Sequence, residues 1–225
     1  MSSTATERET TPMSPPPNTK PKVRGWIHTI TAPIALAAGI VLVVLTPPGA
    51  KWATAVFAAS TVLLFGTSAF YHRRYWGPRG EAVMRRLDHA NIFLLIAGTY
   101  TPLAWLLLPR PTALLLLALV WIGAVAGIFM RVFWLSAPRW LYTSVYILLG
   151  WTAIWFLPAF WSNGGPAIVW LVLAGGLAYT AGAVAYALKR PNPWPKYFGF
   201  HELFHAGTAI GVACHFVAVY LAIFI

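Results

Sequence analysis

The feature that most constrains this chain is a series of apolar stretches, each about 20 residues long, which is the length a helix needs to cross the hydrocarbon core of a membrane. Short breaks rich in charged residues, Pro or Gly separate them, so neighbouring helices should pack as an antiparallel bundle. We predict an all-α, polytopic membrane protein built as a seven-transmembrane-helix bundle. The predicted spans are Trp26–Leu45, Trp52–His72, Leu87–Leu108, Thr112–Phe133, Trp140–Phe160, Ala167–Leu188 and Phe200–Ile225.

Composition supports a membrane location. The chain has 225 residues, of which 59% are hydrophobic and 9% are charged. A soluble globular domain carries roughly 25% charged residues, so that class is excluded. The 12 tryptophans suit the interfacial belts of a multi-pass protein in the cell membrane.

The domain prediction has two parts. Residues 1–21 are rich in Ser, Thr and Pro and lack apolar periodicity, which predicts a disordered cytoplasmic tail. This segment has no apolar core followed by a small-residue cleavage site, so it is not expected to be a signal peptide. Residues 22–225 form the predicted transmembrane domain.

The basic residues predict the orientation, because Lys and Arg favour cytoplasmic loops. With the N-terminus inside and the C-terminus outside, the outer segments hold only Lys51 and Arg110. A basic surface for nucleic acid would not alternate between successive loops, so the net charge of +11 is read as topology. The remaining 14 of the 16 basic residues fall in inner segments: Arg8, Lys20, Lys22, Arg24, Arg73, Arg74, Arg79, Arg85, Arg86, Arg131, Arg139, Lys189, Arg190 and Lys196.

Ionisable side chains inside a membrane are costly, which makes them functional candidates. His72 ends the second predicted span, Asp88 opens the third, and His201 and His205 open the seventh. With the orientation above, all four lie at one depth near the cytoplasmic face. His215 lies ten residues beyond His205, about 15 Å along a helix, so it cannot share an ion with that residue.

These residues predict a zinc site. His72 lies four residues after Ser68, and His201 and His205 are also four apart, so each pair shares one helix face. Three imidazoles with a nearby carboxylate from Asp88 and a hydroxyl can hold zinc with one position open for water. A structural role for the histidines is the alternative.

The pentapeptide HELFH also fits the H-E-x-x-H pattern of zinc peptidases, in which the glutamate is the general base. Adjacent helical positions point about 100° apart, so Glu202 need not face a metal held between His201 and His205. Short loops also offer little cleft for an extended peptide. The peptidase reading is therefore the less favoured one.

Three motifs together resemble the haemolysin III family, within the progestin and adiponectin receptor (PAQR) and CREST-type membrane hydrolase-like superfamily. They are SAFYH, LDHANIFLLIAGTYTP and HELFHAGTAIG, at the second, third and seventh spans. The resemblance implies zinc held by His72, His201 and His205, with Asp88 and Ser68 close to the ion-bound water. The first span, RGWIHTITAP, departs from the family pattern, which leaves the role of His28 open.

Eukaryotic members of that superfamily resemble lipid amide hydrolases, which implies metal-dependent hydrolysis of a membrane lipid amide or ester. Asp88 would orient the attacking water and take its proton, and Ser68 would hydrogen-bond the water or the carboxylate. The alternative is a non-enzymatic membrane effector, a haemolytic pore-former or a regulator of membrane state, with structural zinc. A receptor ranks last. Membrane lipids are the expected partners, an oligomer is possible, and the roles of His89, Glu202 and His215 stay open.

Overall fold

The structure, a computed structural model, describes residues 21–225. Their regular structure is helical, apart from one isolated antiparallel bridge between Trp194 and Phe198. The all-α prediction is confirmed for this part of the chain, whereas the predicted tail, except for Pro21, lies outside it. The helices are α1 (Trp26–Leu45), α2 (Lys51–Arg73), α3 (Pro78–Leu107), α4 (Arg110–Phe133), α5 (Arg139–Gly150), α6 (Leu157–Leu188) and α7 (Phe200–Ala222), with 3₁₀ segments at Pro48–Ala50 and Trp151–Phe156.

Six helical segments in residues 21–225 are long and apolar enough to cross a membrane. One of them, Arg139–Leu188, has 50 residues and contains two of the predicted spans. A continuous helix of this length would extend about 75 Å, more than twice the hydrocarbon thickness. The segment is not continuous, however, because Gly165 has φ 79° and ψ 173°, which a helix does not allow, and Pro166 follows it.

The two arms of this segment lie side by side. Trp151 Nε1 donates to Thr180 Oγ1 at 2.9 Å, and an Arg139 guanidinium nitrogen donates to the Tyr186 carbonyl at 2.9 Å. Contacts that join the start of one arm to the end of the other require antiparallel arms that reverse near Gly165. Residues Gly164 and Gly165, whose neighbours are Asn163 and Pro166, are typical of such a reversal.

Helix α3 begins at Pro78, nine residues before the predicted start at Leu87. Proline suits the first helical position, where its missing N–H has no intrahelical acceptor. The residues that follow include the good helix formers Glu, Ala, Met and Arg, and Glu81 lies where a negative charge favours a helix N-terminus. The prediction was wrong here because it began the span at the first apolar run, whereas the helix extends into the basic loop.

Helix α5 ends at Gly150, inside the predicted span Trp140–Phe160, and continues as 3₁₀ structure. The Tyr100 hydroxyl donates to the Gly150 carbonyl at 2.6 Å and accepts from the Ala153 amide at 2.7 Å. An irregular backbone at membrane depth needs partners within the protein, since lipid supplies none. Tyr100 therefore makes the break in this arm tolerable.

The outer surface is apolar, as a lipid solvent requires. On α1 the exposed side chains include Ile30, Ile34, Ile40 and Val44. Helix α3 contains the largest number of buried residues among the described helices and contacts α2, α4, α5, α6 and α7. Exposed tryptophans stand at or next to helix ends, where an amphipathic ring suits the interface: Trp26, Trp52, Trp134 and Trp140.

Helices α6 and α7 pack closely at Gly182 and Gly207. A Cβ atom at position 207 would lie 2.6 Å from the Ala178 carbonyl oxygen and 3.2 Å from the Gly182 Cα atom. Both neighbours are backbone, which cannot rotate away. Small residues at helix interfaces are how membrane helices obtain close packing, and this contact holds the start of α7 in place.

We predict that Gly207→Ala lowers the free energy of unfolding by about 1–3 kcal/mol, because overpacking must separate α6 and α7. Gly66→Ala in α2 is the matched control, since a Cβ there meets nothing within 4 Å. Gly66→Ala should be neutral or stabilise by about 0.5–1 kcal/mol. Thermal unfolding in detergent measures both, and equal melting temperatures for the two variants would contradict the packing described.

Candidate metal centre

The first turn of α7 is fixed by Glu202. Its Oε2 accepts from the Gly199 amide at 2.8 Å, and its Oε1 accepts from Arg24 Nε. Glu202 is buried, with 1% of its surface exposed. One bond satisfies an amide at the start of the helix and the other joins the segment before α1 to α7. Both carboxylate oxygens are therefore committed to structure, as the orientation argument against a peptidase base anticipated.

Three histidines converge from α2 and α7. His72 Nε2 lies 3.3 Å from His201 Nε2, and one nitrogen from each of His72, His201 and His205 lies within 4.8 Å of the others. The ring centroids of His201 and His205 are 4.7 Å apart, as are those of His72 and His201. The structure thus brings together all three predicted metal ligands.

The donor set fits zinc. Two nitrogens bound to one tetrahedral zinc at about 2.0–2.1 Å lie about 3.3–3.4 Å apart, which matches the separation between His72 Nε2 and His201 Nε2. Imidazole nitrogens are favourable zinc ligands, and three protein ligands leave a fourth position open. His72 and His205 are buried and His201 is half-buried, so little bulk water competes for these nitrogens.

The predicted carboxylate and hydroxyl lie beside this cluster. Asp88 Oδ2, on α3, is 3.7 Å from His72 Nε2, and the Asp88 side chain is 13% exposed. Ser68 and Asp88 line a small cavity of about 10 Å³ together with His28 and His205. This is about the space that one water molecule occupies, so a carboxylate, a hydroxyl and two imidazoles surround room for one small polar molecule.

His28 belongs to the same cluster, although sequence reasoning left its role open. Its ring stacks on the ring of His205, with centroids 3.9 Å apart and planes 11° from parallel. His28 is buried, and within residues 21–225 neither of its ring nitrogens has a hydrogen-bond partner. Only its depth, three residues into α1, pointed to the cluster. The stacking fixes the orientation of His205.

The other two histidines lie elsewhere. His89 Nδ1 is 2.7 Å from the Arg85 carbonyl and its Nε2 is 3.4 Å from the Tyr186 hydroxyl, on a different face of α3 from Asp88. His215 Nε2 is 3.1 Å from the Val172 carbonyl of α6. Neither belongs to the set of nitrogens that could hold one ion. For His215 the distance argument from sequence is consistent with this placement.

A larger cavity of about 100 Å³ lies next to the small one. Leu64, Ile92, Phe204 and Thr208 line both, so the two spaces share a wall. The larger cavity extends along α3, α5, α6 and α7 and is lined mostly by aliphatic and aromatic side chains. It reaches the lipid-facing surface near Gly150 and Ile154, since both line it and are exposed. An apolar space thus leads from lipid to a cluster of polar groups.

One family model and several known proteins are similar to this chain. The family model described as "Haemolysin-III related" matches residues 17–216. The chain is similar to "Hemolysin-3" of Bacillus cereus, with 32% identity over 85% of this chain and 86% of the relative. It is similar to a "Hemolysin-3 homolog" of Bacillus subtilis (strain 168), with 28% identity over 85% of this chain and 89% of the relative. It is also similar to "Heptahelical transmembrane protein ADIPOR2" of Oryza sativa subsp. japonica, with 30% identity over 75% of this chain and 81% of the relative.

We predict that Arg24→Met destabilises the fold by about 3–5 kcal/mol, because it leaves the Glu202 carboxylate buried without its cation. Lys22→Met is the matched control, since Lys22 is exposed and two residues away. The double variant Arg24→Met/Glu202→Gln should recover part of the loss, because no charge is then left buried. Melting temperatures in detergent test this, and similar values for Arg24→Met and Lys22→Met would refute it.

Proposed function

We propose that this chain, which belongs to the haemolysin III-related family within the PAQR superfamily and is a multi-pass protein of the cell membrane, is a zinc-dependent hydrolase of a membrane lipid amide or ester. The observation that carries the proposal is the convergence of His72, His201 and His205 beside Asp88, at the end of an apolar cavity. Imidazoles suit the ion, a carboxylate suits a proton acceptor, and an apolar cavity suits a lipid chain.

The proposed topology has seven spans, with the N-terminus cytoplasmic and the C-terminus outside. The two antiparallel arms of Arg139–Leu188 support two crossings in place of one, and a relative is named heptahelical. The alternation of basic loops supports the orientation. In this arrangement the ends of α2 and the starts of α3 and α7 face the cytoplasm, so the metal site lies near the inner surface.

In the proposed mechanism His72, His201 and His205 hold the metal. Zinc bound there would supply a Lewis acid that polarises a carbonyl and activates a water. Asp88 accepts the proton of the attacking water at Oδ2 and later gives it to the leaving amine or alcohol. Ser68 donates a hydrogen bond that keeps the Asp88 carboxylate or the water in place, and the stacked His28 keeps His205 from rotating.

The apolar cavity supports a lipid as substrate. Its lining from Leu103 to Phe204 matches a hydrocarbon chain, and the shared wall at Ile92 and Thr208 brings one end of that chain to the polar cluster. Burial of a chain there excludes water from all but the reacting end. The exposed rim at Ile154 offers entry directly from the bilayer.

A second candidate function is a non-enzymatic membrane effector, such as a pore-former, with structural zinc. The printed names of two bacterial relatives, which refer to haemolysis, favour it. In this case zinc would join α2 to α7 without reacting. Association into an oligomer would be needed, because the histidine cluster lies at one end of the bundle and the buried threonine hydroxyls of α3, α6 and α7 bond carbonyls of their own helices, so these groups do not line a continuous polar path.

For the topology, we predict that Ser162→Cys is labelled by a membrane-impermeant maleimide in intact cells, while Ser136→Cys is labelled only after permeabilisation. Both serines are exposed and flank the first arm of Arg139–Leu188. The background carries Cys214→Ser, which removes the single native thiol and without a new cysteine should give no signal. Labelling of both positions from one side would show that this arm does not cross.

For the reaction, we predict that Asp88→Asn keeps its zinc but lowers lipid turnover about 10²–10⁴-fold, as expected when a general base is lost. His201→Ala should lose both zinc and turnover. Glu81→Gln is the matched control on α3, since the Glu81 carboxylate accepts from the Tyr71 hydroxyl at 2.5 Å and is not one of the groups that could hold the metal. Metal analysis and assays with lipid amides and esters provide the measurements.

The same variants separate the two candidate functions. Turnover equal in wild type and Asp88→Asn would exclude the hydrolase. Leakage of dye from liposomes at defined protein density, unchanged by Asp88→Asn, would favour the effector. If leakage is absent and turnover follows Asp88, the hydrolase stands.

A further inference from the structure

The proposed metal ligands come from two helices, α2 and α7, whose backbones make few close contacts with each other. Helices α1 and α3 each pack against both of them. Helix α3 brings Asp88 to the cluster, and α1 with the turn before it brings residues 24–28, which we call the bridging segment. The separation of the ligands on α2 and α7 therefore depends on the residues that lie between these helices.

One set of contacts joins the bridging segment to the start of α7. Arg24 Nε donates to the buried carboxylate of Glu202, the residue after His201. One turn further along the chain, the His28 ring stacks on the His205 ring with centroids 3.9 Å apart. The bridging segment thus holds one metal ligand of α7 directly and the neighbour of the other.

A second set joins the same segment to the end of α2. The Gly25 backbone lies against His72, since a Cβ atom at position 25 would be 2.8 Å from the His72 Cβ atom. The guanidinium of Arg73, the next residue of α2, lies 4.2 Å from the centroid of the Trp26 ring. Contacts to α2 and α7 therefore occur within five consecutive residues, at the depth of the metal ligands.

Glycine at position 25 permits this close approach for two reasons. Its φ of 82° lies in the left-handed region, which side chains with a Cβ atom adopt only at a cost. The His72 Cβ atom is attached directly to the helix backbone, so it cannot rotate away from a new neighbour as the end of a long side chain could. A side chain at position 25 would therefore have to displace either the bridging segment or the end of α2 that carries His72.

We propose that the bridging segment sets the affinity of the metal site, with Gly25 and His28 as positioning residues for His72 and His205. The inference rests on the proposed metal site, but not on the reaction proposed there. Groups that orient metal ligands without touching the ion typically contribute about 10- to 100-fold in affinity. Ligands that are already held in place also lose less freedom when the ion binds.

The test is competition for zinc between the purified full-length protein in detergent and a fluorescent chelator of known affinity. Gly25→Ala should bind zinc about 10- to 100-fold more weakly than the wild type, because His72 is displaced. Gly165→Ala is the matched control: Gly165 has φ 79°, and a Cβ atom there meets nothing within 4 Å. It should lower the melting temperature through backbone strain and leave the zinc affinity unchanged.

His28 supplies a second, independent variant. His28→Ala should weaken zinc binding in the same direction, because the His205 ring loses the ring stacked on it. His28→Phe keeps a flat ring and should recover part of the affinity. His215→Ala is the matched control, since it removes a buried imidazole of α7 that is not among the nitrogens that could hold the ion, and its zinc affinity should equal that of the wild type.

A selective loss of affinity in Gly25→Ala and His28→Ala supports the inference. Unchanged affinity in both variants would overturn it and leave the reaction at Asp88 to its own assays. Equal losses in Gly25→Ala and Gly165→Ala would also overturn it, because general destabilisation would then explain the effect. If Gly25→Ala does not fold, the comparison of His28→Ala with His215→Ala decides. A wild-type protein that binds no zinc would overturn the proposed metal site together with this inference, and metal analysis recognises that result before any variant is compared.

Discussion

The structure depends on one constraint, that a polar group in hydrocarbon must find its partner within the protein. Threonine hydroxyls along α3, α6 and α7 satisfy it by donating to carbonyls of the preceding turn. Tyr100 satisfies it for the break after α5. Within residues 21–225 the constraint is not met at four side chains, which have buried polar atoms without a hydrogen-bond partner: His28, Arg131, Tyr179 and His215.

The HELFH segment shows how one short pattern serves two purposes. The histidines at its ends lie beside His72 of α2. Glu202 between them points elsewhere and accepts hydrogen bonds from the Gly199 amide and from Arg24. A soluble zinc peptidase uses the glutamate of this pattern as a base, but here the carboxylate that approaches the histidines comes from Asp88 on another helix. The same H-E-x-x-H pattern therefore forms a different site in this chain, because the face of α7 that meets the site carries the two histidines and not the glutamate.

Much of this was readable from the sequence because lipid makes apolar length and charge placement unusually informative. Four histidine and carboxylate positions at one depth predicted the cluster of His72, Asp88, His201 and His205, and the structure brings these side chains together. The start of α3 was missed because a helix can extend beyond the bilayer through charged residues. The stacking of His28 and the orphan hydroxyl of Tyr179 depend on how α1, α6 and α7 pack, and no local pattern in one sequence encodes that.

Because the large cavity opens to lipid at Gly150 and Ile154, its occupancy depends on the concentration of the ligand in the membrane. A molecule that enters there moves from one hydrocarbon environment to another, so its transfer gains little from the hydrophobic effect. Occupancy of the cavity would follow the mole fraction of the ligand in the surrounding lipid. A larger volume of buffer would leave that occupancy unchanged. Adding inert lipid would empty the cavity by surface dilution, at constant numbers of protein and ligand molecules.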